Sequence, residues 1–291
     1  MKIQVPVKQV AAIHDLSGIG RTSLSVVIPI LSAMGVNVCP LPTAVLSSHS
    51  RFEGYHFVDL TLQMQPIINH WKSLDISFDA IYSGFLGSPK QINIVRGMID
   101  AFKNDNQIVI IDPVLGDNGK KYGPISEEMV LEMRTLIQKA DIITPNLTEA
   151  ALLLNEPFDF AISEEQMKEW IVRLSEMGPQ VVVVTSVPNK SSMKNSSVIA
   201  FDKGDNHFYK VPVNYIPADF PGTGDCFTSV LTGALLQGDS LPIAIERAVY
   251  FISCGVRATL GYHYNQNQGI LLERLLNRIN LPIPNSNYEI F

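Results

Sequence analysis

The chain has 291 residues, 28 acidic against 22 basic side chains for a net charge of −6, and is 46 % hydrophobic. That surface sign is a poor match for the phosphate backbone of nucleic acid, and no apolar run approaches the ~20 residues of a membrane span. Three cysteines, Cys39, Cys226 and Cys254, have no metal-binding spacing, and the first residues carry no signal-peptide pattern. A globular protein of the reducing cytoplasm is expected.

Short β-rich apolar runs alternate with longer helical ones. Residues 10–13 read as a strand and 22–34 as a helix stopped by Gly35. A strand follows at 36–41, a helix at 60–71 and a strand at 80–82. Ser88-Pro89, a cap followed by proline at the first helical position, opens a helix over 89–102. Residues 107–111 read as a strand, continuously β-branched from Ile108 on, as in a sheet covered on both faces. A helix over 126–138, a strand at 141–143, a helix over 164–177 and a strand at 181–184 come next. Residues 198–201 and 207–211 read as a hairpin around Lys203-Gly204-Asp205-Asn206. Helices over 225–237 and 242–259 and an amphipathic helix over 270–279 close the chain. The alternation predicts one α/β domain over 1–291, with a mostly parallel central sheet, helices on both faces and ligands at the carboxyl ends of the strands.

The candidate chemistry falls at those ends. Phe220-Pro221-Gly222-Thr223-Gly224-Asp225 leads into an apolar helical run. Helix N-terminal N–H groups hold anions, and glycines let the backbone come close to them. Asp225, in the first turn, is placed to take a proton from a hydroxyl. A cradle beside a carboxylate base is what phosphoryl transfer to an alcohol requires. The plain alternative is a loop and a helix cap.

Four other strand ends carry suitable groups. The first leads through Asp15, Ser17, Gly18 and Gly20, where a tight turn is the competing reading. Another ends in Asp112-Pro113-Val114-Leu115-Gly116-Asp117, placing a carboxylate where a metal-bound phosphate could be met. Thr144-Pro145-Asn146-Leu147-Thr148-Glu149 reads as a helix cap, or as Asn146 on a phosphate with Glu149 in a metal's water shell. Thr185-Ser186 offers two hydroxyls at the end of the 181–184 strand. The stretch Pro42-Thr43-Ala44-Val45-Leu46-Ser47-Ser48-His49-Ser50, after the 36–41 strand, reads by itself as a solvated loop rather than a site.

Taken in order, these segments resemble the ribokinase superfamily, and within it the pyridoxal kinase branch. Gly222–Asp225 with Thr144–Glu149 marks the superfamily. Ser83-Gly84-Phe85-Leu86-Gly87-Ser88 and Ser47–Ser50 point to the branch. The resemblance implies a ribokinase-like fold and ATP-dependent phosphorylation of the 5'-hydroxymethyl group of vitamin B6 compounds. It implies Asp225 as base, and Gly222, Thr223 and Gly224 as the anion hole. Mg²⁺ would be held by Asp112 and Glu149, and ATP phosphates met by Asn146, Thr185 and Ser186. Tyr122 would sit on a flexible covering loop. Thr43 would lie by the pyridine ring, with Ile19 and Phe85 lining its apolar pocket. Asp15 and Ser48 would help to choose the acceptor. A homodimer follows from the resemblance, while a monovalent cation such as K⁺ is left open.

Two positions depart from the branch. Asp15 stands where a serine is expected, and Phe85 where tyrosine is common. Asp15 with Ser17-Gly18 is nearer to kinases of hydroxymethylpyrimidine, which however carry a glutamine near Ser48. A hydroxymethylpyrimidine kinase is therefore the alternative, and a non-catalytic carrier on the same fold a more distant one.

Overall fold

The computed structural model describes residues 6–188, 195–214, 216, 218–284 and 286–291. The first strand, β1 (Gln9–Ser17), is followed by α1 (Leu24–Ala33), β2 (Asn37–Leu46), β3 (Phe57–Asp59), α2 (Thr61–Ser73), β4 (Ala80–Ser83) and α3 (Pro89–Phe102). Next come β5 (Ile108–Ile111), a small hairpin of β6 (Gly116–Asp117) and β7 (Lys120–Lys121), α4 (Glu127–Ile137), β8 (Ile142–Ile143), α5 (Leu147–Leu154) and α6 (Glu164–Glu176). The chain ends with β9 (Val181–Pro188), β10 (Asn195–Asp202), β11 (His207–Asn214), α7 (Thr223–Leu236), α8 (Leu241–Leu260) and β12 (Glu289–Ile290).

One sheet runs β12-β11-β10-β9-β8-β5-β4-β1-β2-β3. The six strands from β9 to β2 are parallel, and antiparallel strands flank them on both sides. Alternation along β1 explains the two cores. Ala11 and Ile13 enter the layer formed with α2 to α6, whereas Val10 and Ala12 enter the layer formed with α1, α7 and α8. All four are fully buried. The order turns at β1, which pairs with β2 on one side and β4 on the other. Ligand crevices open at such a reversal.

Local chemistry sets the helix starts. Ser88, Ser126 and Ser163 each accept a hydrogen bond from a backbone N–H of the first turn of α3, α4 and α6. Asn146 and Glu149 form a reciprocal capping box at α5.

Several sequence expectations need correction. Residues 270–279 form no α-helix: they hold two short 3₁₀ turns, Leu272–Arg274 and Leu276–Arg278. Ile270, Leu272, Leu275 and Ile279 still bury their side chains, because three-to-four spacing is met by either kind of turn. Asp15 lies inside β1 and Thr43 inside β2, not in loops after them. Thr185-Ser186 does not end its strand: β9 continues to Pro188, and its register against β10 shifts there, with Ser186 at φ 58°. Residues 116–121, read as part of a loop, form the β6–β7 hairpin. Asn118 and Gly119 at its tip both have positive φ, as a two-residue hairpin turn requires.

Candidate active site

The anion cradle takes its shape from Gly222, the cap residue of α7, at φ 79°. A Cβ there would lie 2.0 Å from the Arg21 carbonyl oxygen, so only glycine fits the approach. No side chain caps this helix. Its first N–H groups, from Thr223 and Gly224, therefore remain free for an anion at the positive end of the helix dipole.

A cavity of about 160 Å³ opens in front of it. Its walls bring together ten of the expected residues: Asp112, Tyr122, Asn146, Glu149, Thr185, Ser186, Gly222, Thr223, Gly224 and Asp225. They arrive from five places in the fold: the ends of β5 and β7, β9, and the starts of α5 and α7. Asp112 follows β5, and Asn146 and Glu149 open α5. Thr185 donates its N–H to Pro145 O at 3.0 Å, which ties β9 to the loop before α5. Tyr122, expected on a flexible loop, follows β7 and donates its N–H to Leu115 O at 3.0 Å. The hairpin tip is pinned to α5 by Gly119 N–H donating to Thr148 Oγ1 at 2.9 Å.

Two groups at the cavity are already engaged. Asn146 accepts from Glu149 N–H at 3.0 Å and donates through Nδ2 to Gly116 O at 2.8 Å. Glu149 accepts from the N–H groups of Leu115 and Asn146 at 2.9 and 2.8 Å. The capping role weighed for this pair is thus realised, and it holds both residues at the wall.

Burial dominates the electrostatics. The Asp225 carboxyl is pushed up to about 7 by loss of water, with the Asp15 charge adding to the shift and the Ser23 N–H opposing it. Asp112 is raised well above the usual carboxylate range by burial, then by the charges of Glu149 and Asp225. Burial raises Glu149 in the same direction. His14 Nδ1 lies 3.9 Å from Asp225 Oδ1, but burial drops the imidazole to about 3, so it is neutral beside that carboxyl. Gly84 makes room for this ring: a Cβ would sit 2.2 Å from His14 Nδ1.

The other five expected residues lie outside the cavity wall. Thr43 is fully buried in β2 and donates from Oγ1 to Phe85 O at 3.2 Å. Phe85 is half-buried and Ser48 buried. Ile19, expected to line an apolar pocket, is 56 % exposed in the loop after β1, with its N–H donating to Ser47 O. Asp15 is buried and accepts from the hydroxyls of Ser17 and Ser23.

Ser23 joins the two groups of residues. Its N–H donates to Asp225 Oδ2 at 2.9 Å while its hydroxyl donates to Asp15. To do so it adopts φ 51°, ψ −132°, a strained backbone for a residue with a Cβ, and leaves α1 without a side-chain cap. Nothing in the sequence distinguishes this serine from an ordinary cap. Arg51, Asp117 and Asp219, which also line the cavity, were not anticipated either. For the hairpin that carries Asp117 a signal was present: Asn118-Gly119 is a strong two-residue turn pair.

The cluster offers a base, an anion hole and two acidic groups at one cavity. Among the described residues no three or more histidine, cysteine or acidic side chains gather as a metal cage. Asp112 and Glu149 fit a different cation site. Two buried carboxyls raised toward their neutral forms are what a divalent cation would restore to charge, and Mg²⁺ needs few protein ligands when waters and phosphate oxygens complete its shell.

Comparison with known proteins bears on the chemistry. Residues 31–270 match the phosphomethylpyrimidine kinase family. The chain is 30 % identical to pyridoxal kinase of Arabidopsis thaliana over 79 % of its own length and 75 % of the relative's. A Bacteroides thetaiotaomicron protein classed with the phosphomethylpyrimidine kinases, crystallised with pyridoxal, is 54 % identical. It matches with a TM-score of 0.96 over 98 % of this chain and 100 % of its own. Pyridoxal kinase of Lactobacillus plantarum superposes with a TM-score of 0.86 at 29 % identity, over 94 % and 97 % of the two chains.

Proposed function

The chain belongs to the phosphomethylpyrimidine kinase family, in its pyridoxal kinase branch, and from that premise we propose that it phosphorylates the hydroxymethyl group of vitamin B6 compounds with ATP. The observation that carries the reading is Asp225, a half-buried carboxyl raised toward neutrality, on the first turn of an uncapped helix behind a glycine whose place a Cβ would not fit. Pyridoxal in the 54 %-identical Bacteroides crystal structure supports the acceptor class.

In this reaction the substrate oxygen attacks the terminal phosphorus of ATP, Asp225 takes the hydroxyl proton, and the bond to ADP breaks. A base titrating near the working pH can both accept and release that proton. The N–H groups of Thr223 and Gly224 stabilise the charge on the transferring group, and Gly222 keeps their approach open. Asn146, Thr185 and Ser186 line the same wall and meet the other phosphates. Asp112 and Glu149 would hold Mg²⁺, which when bound would supply positive charge to offset that of the phosphates. On the acceptor side, Thr43, Phe85, Ser48 and Ile19 surround the ring, and Asp15 accepts from a ring N–H, a ring hydroxyl or an amine. Tyr122 covers the site from the hairpin.

A hydroxymethylpyrimidine kinase is the second reading, and Asp15 is the observation that favours it. Transfer of ³²P from labelled ATP to pyridoxal, pyridoxine and pyridoxamine tests the proposal. The label should reach at least one vitamer with wild type and none at comparable rate with D225N. Wild-type protein that labels no vitamer contradicts it.

We further propose a homodimer. Leu16 pairs with Val45, and Val45 with Val58, so an exposed apolar row crosses three strands beside the β3 edge. Light scattering should give twice the chain mass, and V58D the single mass. The three cysteines, free in this structure, accord with a reducing cytoplasm.

A further inference from the structure

The cavity wall is unusual in its charge. Asp112, Asp117, Glu149, Asp219 and Asp225 line it, and Arg51 is the one cation among the described residues that do. Arg51 lies in the loop between β2 and β3. Its Nη1 meets Asp219 Oδ2 at 2.9 Å and its Nη2 meets Asp219 Oδ1 at 3.0 Å. Asp219 stands three residues before Gly222, so this pair spans the mouth between the acceptor-side loop and the anion hole. The Arg51 charge also acts on Asp117 and Tyr122 of the hairpin side.

The pair is poised for exchange. Both side chains retain access to water, which makes their mutual attraction weak. A guanidinium forks onto a phosphate as it forks onto a carboxylate, and the phosphate carries more charge. A transferring phosphoryl group in a wall of carboxylates calls for a cation from the protein. We propose that Arg51 is a phosphoryl-binding residue that leaves Asp219 for the terminal phosphoryl group of the bound triphosphate. The inference rests on the phosphotransfer reading of the same cavity. No covalent bond changes at Arg51: one ion pair is replaced by another, and Asp219 turns to solvent.

Calorimetric titration of wild type, R51A, R51K and D219N with the β,γ-imido analogue of ATP and with ADP, both with Mg²⁺, tests this. R51A should weaken binding of the triphosphate analogue about 10- to 100-fold, the range for a lost charge-assisted pair. Its Kd for ADP should stay within about twofold, since no terminal phosphoryl group is present to meet. R51K should fall between wild type and R51A. D219N should tighten the analogue roughly threefold by releasing the arginine. Equal weakening of both nucleotides in R51A and D219N would show a structural clasp and overturn the proposal, as would unchanged analogue binding in R51A. If wild type binds neither nucleotide, the phosphotransfer reading itself fails. Binding in wild type with no Arg51 dependence overturns only the role of Arg51.

Discussion

The proposed phosphate half of the site and the proposed acceptor half are built by different means. The phosphate half is set by backbone: a left-handed glycine at the start of α7, free first-turn N–H groups, and a capping box that holds Asn146 and Glu149 at the wall. The acceptor half is set by side chains packed into β1 and β2, with Asp15 buried against two hydroxyls and Thr43 against the Phe85 carbonyl. Backbone geometry is tied to glycines and short motifs, so it tolerates little change. Side-chain geometry can be retuned one residue at a time, which suits a family whose members differ in acceptor. Among the described residues Ser23 bridges the two, with its N–H on Asp225 and its hydroxyl on Asp15.

If this division is right, substitutions in one half should leave the other half's kinetic signature intact. The largest effect is expected for D225N, which keeps the shape and removes the base. Its kcat should fall about 10²- to 10⁴-fold, the range for general bases, while the Kd for nucleotide stays close to wild type. Retention of a third of the wild-type kcat would end the assignment of Asp225. Next comes G222A, in which the added methyl meets the Arg21 carbonyl and must displace the loop. The loss should approach about 10²- to 10³-fold in kcat, comparable with removal of an anion-hole donor. A smaller and more selective effect is expected for D15N. The KM for the vitamer should rise roughly 10-fold, as for one lost hydrogen bond to a charged group, with the KM for ATP unmoved. A parallel rise in both KM values would show that the two halves are one unit.

The smallest expected effects are in pH dependence. The pKa of Asp225 is raised from 3.8 in the unfolded chain to about 7 in the folded one. The active form is the deprotonated one, so kcat/KM should climb tenfold per pH unit below about 7 and level off above it. The sign for stability is opposite. Between pH 3.8 and 7 the folded chain holds a proton that the unfolded chain releases, so this group lowers stability as pH rises, and its cost is complete above about 7. D225N should therefore raise Tm by about 2–5 °C at pH 8 and leave it unchanged near pH 3.5. A lower Tm for D225N at pH 8 would show that the hydrogen bond from Ser23 outweighs the burial cost.

The two halves also differed in how far the sequence revealed them. All nine residues expected on the phosphate side line one cavity, and Tyr122 lines it with them, because glycine pairs, a capping pattern and strand-terminal acids are local signals with a fixed geometry. The parallel sheet was legible from local signals too: a strand such as Ile108–Ile111 is apolar throughout. The acceptor side was less legible. Asp15 and Thr43 were expected in loops and lie within strands, since the continuation of β1 and β2 depends on pairing partners distant in the chain. The strained Ser23 left no trace, for its role depends on Asp225, 202 positions away. Arg51 and Asp219, 168 positions apart, were invisible on the same ground. The 270–279 segment shows the converse: its apolar spacing was real, and only the kind of turn was wrong.

Side-by-side kcat/KM values for pyridoxal, pyridoxine, pyridoxamine and hydroxymethylpyrimidine, with saturating ATP and Mg²⁺ at pH 7.5, put the reading to its hardest trial. At least one B6 vitamer should exceed hydroxymethylpyrimidine by about 10-fold or more, the discrimination expected when the polar groups of a pocket meet their partners in one ring and not in the other. Equal or greater efficiency with hydroxymethylpyrimidine would contradict the assignment, leaving the phosphate half as described and reassigning the acceptor half.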